Sequence, residues 1–210
     1  MTPTVTVITP WRNHPEFVDG YLEAIEAGQP DHFLVVDDNS DPPLEFADVW
    51  LKGHSHGFCS ACNAGLAAAG TDAVVFLNND IRLVRANWLR EIRVLLKPRT
   101  LVGELRSGSH THVDGQEHPY IDGWCIAAMR EDLLELGGWD DTLEEPAYYS
   151  DNMLTLRAAQ AGWHLSHLNV GLHHLVTGTA KDDPSRIHQA AQANRAKWVQ
   201  AVTDSKLVTT

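Results

Sequence analysis

The stretch AVVFLNND, residues 73–80, decides the fold class. Five apolar residues in a row, valine-rich and without helical period, read as a strand buried on both faces. The run then breaks into two amides and a carboxylate, which is turn chemistry. The same pattern occurs twice upstream: HFLVV (32–36) runs into DDNSDPP (37–43), and TVTVIT (4–9) ends at Pro10. Helical patterns separate these strands. His14 to Ala27 sets Phe17, Tyr21, Leu22 and Ile25 at helical spacing with Gly28 as its stop, and the Ala-rich run 58–69 ends at Gly70. Asn87 to Lys97 gives a third helix, with Asn87 as N-cap and Pro98 past its end, and Val49 to Lys52 reads as a short strand.

Strand and helix in alternation predict an α/β fold: a Rossmann-like, mostly parallel central sheet with helices on both faces. Ligands of such sheets bind at the carboxyl ends of the strands. Thr9-Pro10, Asp37-Asp38 and Asn78 to Asp80 are therefore expected to converge on one site.

The second half is less regular. Residues 103–120, rich in Gly, Ser and His, read as loop or edge strands; 120–128 as a strand; 131–136 as a short helix broken by Gly137-Gly138. A helix over 149–161 closes at Gly162, one or two strands follow over 163–175, and 185–202 is an amphipathic helix. No linker divides the chain. It reads as one domain over 1–210, with a nucleotide-binding half (1–100), an acceptor half (101–180) and a C-terminal helix (184–203).

Composition narrows the function. An apolar fraction of 43% and a charged fraction of 21% suit a folded chain. A net charge of -12 argues against a protein that grips nucleic acid through its phosphates. No apolar run approaches the ~20 residues of a membrane span. The start MTPTVTVITPW lacks the charged and apolar regions of a signal peptide, and three cysteines read as reduced thiols, so a cytoplasmic location is expected.

A carboxylate beside two amides just past a buried strand (FLNND, 76–80) suits a hard divalent cation, Mn²⁺ or Mg²⁺, shared with substrate phosphates; taken alone it reads more readily as a turn. The paired carboxylates of VVDDNSD (35–41) can accept from a nucleobase imide or a ribose hydroxyl, or cap a turn. Cys59-x-x-Cys62 with His54 and His56 has zinc spacing, yet a lone CxxC reads better as two small buried thiols. Trp124 and Trp139 can pack in a core or stack on a sugar ring.

The motifs VTVITPWRN (5–13), VVDDNSD (35–41), GFCSACNAGL (57–66), FLNND (76–80), GGWDD (137–141), YYSDNMLTLRAAQAG (148–162) and HHLVTGT (173–179) stand in the order of family 2 glycosyltransferases of the GT-A fold. The chain resembles in particular the rhamnosyltransferase-like members. The resemblance implies a metal-dependent, inverting transfer of a hexosyl or deoxyhexosyl group from a UDP-, GDP- or dTDP-linked donor to an acceptor hydroxyl. It implies that Thr9, Pro10 and Arg12 line the nucleotide pocket and that Asp37 or Asp38 reads the base. Gly57 and Asn63 would shape the pocket by the diphosphate, with Asn78 and Asn79 beside it. Asp80 would bind the metal, approached by His173 or His174. Asp151 would be the general base, its charged form favoured by a helix N-terminus. Trp124, Gly138, Trp139 and Asp140 would contact the acceptor. Three positions depart from the family pattern: Asn78-Asn79-Asp80 stands in place of Asp-x-Asp, Ser150 in place of an acidic residue, and Cys62 in place of an arginine. The acceptor stays open between a glycan, a lipid-linked sugar, a protein and a modified nucleobase, as does a homodimer. Two other functions remain: a nucleotidyltransferase that makes nucleotide-sugars, and a non-catalytic nucleotide- or carbohydrate-binding relative.

Overall fold

A computed structural model describes residues 2–175 and 184–208. In chain order the strands are β1 (Val5–Trp11), β2 (His32–Asp37), β3 (Val49–Trp50), β4 (Ala73–Leu77), β5 (Ile81–Leu83), β6 (Thr100–Arg106), β7 (His112–Val113), β8 (Gln116–Glu117), β9 (Tyr120–Met129), β10 (His164–His167) and β11 (Leu172–His174). The helices are α1 (Val18–Gly28), α2 (Phe58–Ala68), α3 (Trp88–Leu95), α4 (Arg130–Leu136), α5 (Ser150–Gln160) and α6 (Pro184–Val208). Seven strands form one sheet in the order β10-β6-β9-β4-β1-β2-β3. Every pairing in it is parallel except those of β9, which runs antiparallel to both β4 and β6. Two small antiparallel pairs, β5 with β11 and β7 with β8, stand outside it.

Side-chain alternation along the strands builds a core on each face of the sheet. Val5, Val7, Val35, Val75 and Leu77 point to one side, against Tyr21, Ala24 and Ile25 of α1 and Trp88, Leu89 and Ile92 of α3. Ile8, Val36, Val74 and Phe76 point to the other, against Cys59, Cys62 and Leu66 of α2, Leu133 of α4 and Leu154 and Ala158 of α5. The expected α/β sheet with helices on both faces is therefore present. Helix α6 packs separately, through Trp198 and Val202, on Val113, Leu143 and Met153.

Several local expectations are corrected. Strand β1 runs through Pro10 instead of ending there. Its odd residues bond toward β2, as the contacts of Val5 and Trp11 show, so Pro10 faces β4, where the ladder has already ended at Ile8 opposite Phe76. The donor that proline lacks is not needed at that point. Gly28 lies inside α1, and Gln29 at φ 50 ends the helix by donating its N–H to the Ile25 carbonyl at 3.1 Å. A Cβ on Gly28 would come within 2.6 Å of Trp88 Nε1, so this glycine permits the approach of α3. Asn87 precedes α3 at φ 62 and makes no side-chain cap.

Residues 100–106 form an interior strand of the sheet, where loop or edge structure was expected from 103 onward. Gly103 sits at the irregularity in its pairing with β9, and a Cβ there would lie 2.5 Å from the Cys125 carbonyl oxygen. A backbone atom in the middle of a sheet cannot step aside. Gly103→Ala is expected to lower stability by about 1–3 kcal/mol, read as a lower urea midpoint with an unchanged denaturant slope.

Candidate active site

A cavity of about 790 Å³ opens at the carboxyl edge of the sheet. Pro10, Trp11 and Arg12 reach it from β1, Asp38 from the end of β2, and Asn78, Asn79 and Asp80 from the end of β4. Because β9 is antiparallel, its first residues, Tyr120 to Trp124, meet the same edge. The amino ends of α2 and α5 supply Gly57, Phe58 and Ser150 to Asn152, and β11 supplies Leu172, His173 and His174.

The carboxylate at the end of β4 is held in a specific contact. Asp80 is 4% exposed, and its Oδ1 lies 3.1 Å from His174 Nε2. Asn78 Nδ2 lies 3.2 Å from the same ring nitrogen. Pairing of β11 with β5 sets His174 opposite Ile81, and the Leu175 N–H donates to the Asp80 carbonyl at 2.9 Å, so the backbone fixes this meeting. Trp124 stacks on the His174 ring at 5.5 Å and 10°. Of the two histidines, His174 is the one in contact with Asp80, while His173 lines the cavity alongside. The rest of the HHLVTGT motif, residues 176–179, lies outside the described residues.

Asp151 stands on α5 in the cavity wall. The Gly123 N–H donates to its Oδ2 at 3.0 Å, and the Asn152 N–H to its Oδ1 at 2.8 Å. These bonds favour the charged form, as does a helix N-terminus. Burial outweighs them, and the charge of Asp122 adds to it, so the carboxyl is pushed up to about 6. The expected dipole-stabilised carboxylate is thus corrected: desolvation wins. Asp122 in turn accepts from Arg106 Nε at 3.0 Å, and Arg106 Nη2 donates to Glu104 at 2.8 Å.

Other expected site residues have other partners. Asp37 is 1% exposed and lies off the cavity; its oxygens accept from the Ser40 N–H at 2.9 Å and the Leu44 N–H at 3.1 Å. It anchors the turn after β2. Asp38 does line the cavity, and its carboxylate accepts from the Ser55 hydroxyl, the His56 N–H and the Gly57 N–H at 2.6, 2.6 and 2.9 Å. It holds the approach to α2. Thr9 is buried in the sheet, so Pro10 forms the wall.

Asn63 also lies off the cavity. Its Oδ1 accepts from the Trp139 N–H at 2.8 Å and its Nδ2 donates to the Trp139 carbonyl at 2.9 Å. The clasp fixes the 137–141 loop on α2, and Gly138 at φ 64 leaves room for it. Trp139 is 1% exposed and packs edge-on against Phe58 and Phe76, and Asp140 caps the Thr142 N–H and hydroxyl. Of the four residues expected at the acceptor, only Trp124 lines the cavity. Cys59 and Cys62 are buried thiols, pushed up by desolvation, and His54 stacks on His56. Among the described residues no cluster of three metal-binding side chains supports the zinc reading. The sequence reading missed Glu104, Arg106, Tyr120, Asp122 and Tyr148, which all line the cavity.

Asp80, His174 and Asp151 thus line one cavity at the carboxyl edge of the sheet, where α/β folds of this kind bind their ligands. The model of Glycosyl transferase family 2 matches residues 6–110, and the chain belongs to that family. It is 28% identical over 204 residues to the pre-mycofactocin glycosyltransferase of Mycobacterium tuberculosis, covering 80% of this chain but 42% of that protein's length. It is 28% identical over 205 residues to an uncharacterized glycosyltransferase of the same organism, covering 84% of this chain and 88% of that one. A mannosyltransferase from Pyrobaculum calidifontis, solved in complex with GDP-Man and Mn²⁺, shares the fold with a TM-score of 0.69 at 19% identity, over 95% of this chain and 65% of the other. No described helix is long and apolar enough to cross a membrane.

The raised Asp151 carboxyl has a consequence for stability. The folded chain takes up this proton more readily than the unfolded chain does. The group therefore stabilises the fold fully at pH values below the ordinary carboxylate range, and that contribution is lost as pH rises toward about 6. Asp151→Asn is expected to remove this slope. Urea midpoints of variant and wild type should diverge in the variant's favour between pH 4 and 7.

Proposed function

We infer that this glycosyltransferase moves a hexosyl or deoxyhexosyl group from a nucleoside-diphosphate sugar to an acceptor hydroxyl, with a divalent cation at Asp80 and His174 and with Asp151 as general base. One observation carries this reading: Asp80, His174 and Asp151 face the same cavity.

The donor set fits a cation. His174 Nε2 meets a carboxylate oxygen and an amide Nδ2 at once. A proton on that nitrogen serves Asp80 and opposes the amide donor; without it, the ring lone pair faces the carboxylate. With the Asn78 amide turned over, a carboxylate oxygen, an imidazole nitrogen and an amide oxygen converge, as Mn²⁺ or Mg²⁺ accepts. A cation bound there supplies charge neutralisation for the leaving diphosphate. That chemistry is supported by the GDP-Man and Mn²⁺ of the mannosyltransferase that shares the fold.

The remaining work falls to the chain. Pro10, Arg12, Gly57 and Asp38 border the space for the nucleotide. Asp151, ionised above about 6, accepts the acceptor's hydroxyl proton as its oxygen attacks the anomeric carbon. Attack from the face opposite the diphosphate inverts the anomeric centre. The Gly123 and Asn152 N–H groups hold the carboxylate in place for it.

A panel of UDP-, GDP- and dTDP-sugars tests the reading. Turnover should stop in EDTA and return with Mn²⁺ or Mg²⁺, and Asp80→Ala and His174→Ala should each weaken Mn²⁺ binding in calorimetry. Turnover that persists in EDTA removes the metal from the mechanism, and nucleotide binding with no turnover of any donor identifies a non-catalytic relative. Asp151→Asn is expected to lower kcat by about 10²–10⁴-fold while keeping nucleotide affinity. The acid limb of the wild-type rate profile, near pH 6, should be absent from the variant's residual activity.

A further inference from the structure

We propose that the part of the cavity bounded by Glu104, Arg106, Tyr120, Asp122, Tyr148 and Asn152 takes a neutral polyhydroxylated acceptor, a saccharide hydroxyl without a phosphate, and disfavours anionic acceptors. This rests on the transferase reading above and names the substrate class of the same site.

Charge comes first. Among the described residues lining the cavity, the carboxylates are Asp38, Asp80, Glu104, Asp122, Glu145 and Asp151, and the arginines are Arg12 and Arg106. Arg12 belongs to the donor side, at the end of β1. Arg106 comes from β6, and both Asp122 and Glu104 engage it, at 3.0 and 2.8 Å. A phosphate arriving there would meet an arginine already shared by two carboxylates and would lie beside both. Like charges at such spacing repel, more strongly in a cleft than in open water.

Hydrogen-bonding capacity comes second. The carboxylates of this lining accept hydrogen bonds, and a ligand rich in hydroxyls supplies donors for them. Asp122 is placed for this role. It adjoins Gly123, whose N–H holds Asp151, so a sugar bound to Asp122 lies beside the base.

Apolar surface comes third. Tyr148 lines the cavity while 43% exposed, and Tyr120 stands across from Arg106 in the β6–β9 pairing. Aromatic faces next to carboxylates match the two surfaces of a pyranose, one carrying C–H groups and one carrying hydroxyls. An anionic polymer calls for a basic lining instead.

The test is saturation-transfer NMR and transfer assays on the whole chain with UDP, GDP or dTDP and Mn²⁺. The probes are the methyl glycosides of glucose, mannose and galactose, their 6-phosphates, and a short DNA oligonucleotide. At least one neutral glycoside should bind, with its 6-phosphate at least ten-fold weaker and the oligonucleotide silent. Asp122→Asn should raise the KM for the neutral acceptor at least ten-fold with a smaller change in kcat and leave nucleotide affinity within two-fold. Tyr148→Ala should weaken acceptor binding in the same sense. Phosphorylated probes binding as well as neutral ones, no glycoside binding at all, or an unchanged acceptor KM in Asp122→Asn would each overturn the proposal. The binding readout needs no catalysis, so it decides the acceptor class even where donor turnover fails and the transferase reading falls.

Discussion

Strand β9 pairs antiparallel with β4 on one side and β6 on the other, so its first residues meet the edge of the sheet where the parallel strands finish. The site depends on this reversal. A parallel β9 would carry Tyr120 to Trp124 to the far edge, away from Asp80. As it stands, Trp124 lies against the His174 ring, Gly123 holds Asp151, and Asp122 pairs with Arg106 while its charge acts on Asp151. One strand thereby touches both the Asp80–His174 pair and the carboxylate on α5, and the distance between them is set by backbone pairing.

The same strand makes the Asp151 environment costly to the fold. Two N–H donors and a helix N-terminus favour the carboxylate, yet burial and Asp122 hold its carboxyl up to about 6. In the proposed role, a carboxyl poised near neutrality is more useful to proton transfer than one fixed in its charged form. The raised carboxyl costs the chain some stability at neutral pH.

Much of the fold was legible from residues 1–100. The β-branched run TVTVIT and the apolar runs HFLVV and AVVFL alternate with helical patterns, and helices cover both faces of the sheet they build. The interior strand β6 was half hidden, because it ends in Glu104, Leu105 and Arg106 on the way to solvent and carries a glycine where β9 comes closest. That Asp80 and Asp151 meet at one cavity was legible from motif order. The division of labour between Asp37 and Asp38 was not, since two adjacent carboxylates look alike until the turn decides which collects backbone donors. Trp139 could have been a sugar platform by its position, but it is buried and packs edge-on with Phe58 and Phe76. The Glu104, Arg106 and Asp122 contacts link positions on two strands that pair only in three dimensions, and no local pattern announced them.

Two asparagines treat the connection between α4 and α5 alike. Asn63 gives and receives a hydrogen bond at Trp139, and Asn194 of α6 does the same at Glu144, accepting from its N–H and donating to its carbonyl at 2.8 Å each. Each amide substitutes for a neighbouring strand, so the segment is buttoned down at two points without belonging to any sheet. Between the buttons Leu143 stays buried beneath α6, while Asp141 and Thr142 stand exposed. A lineage or an engineer wishing to reshape this border of the molecule has those two exposed positions to change, and three neighbours, Asn63, Leu143 and Asn194, that must stay.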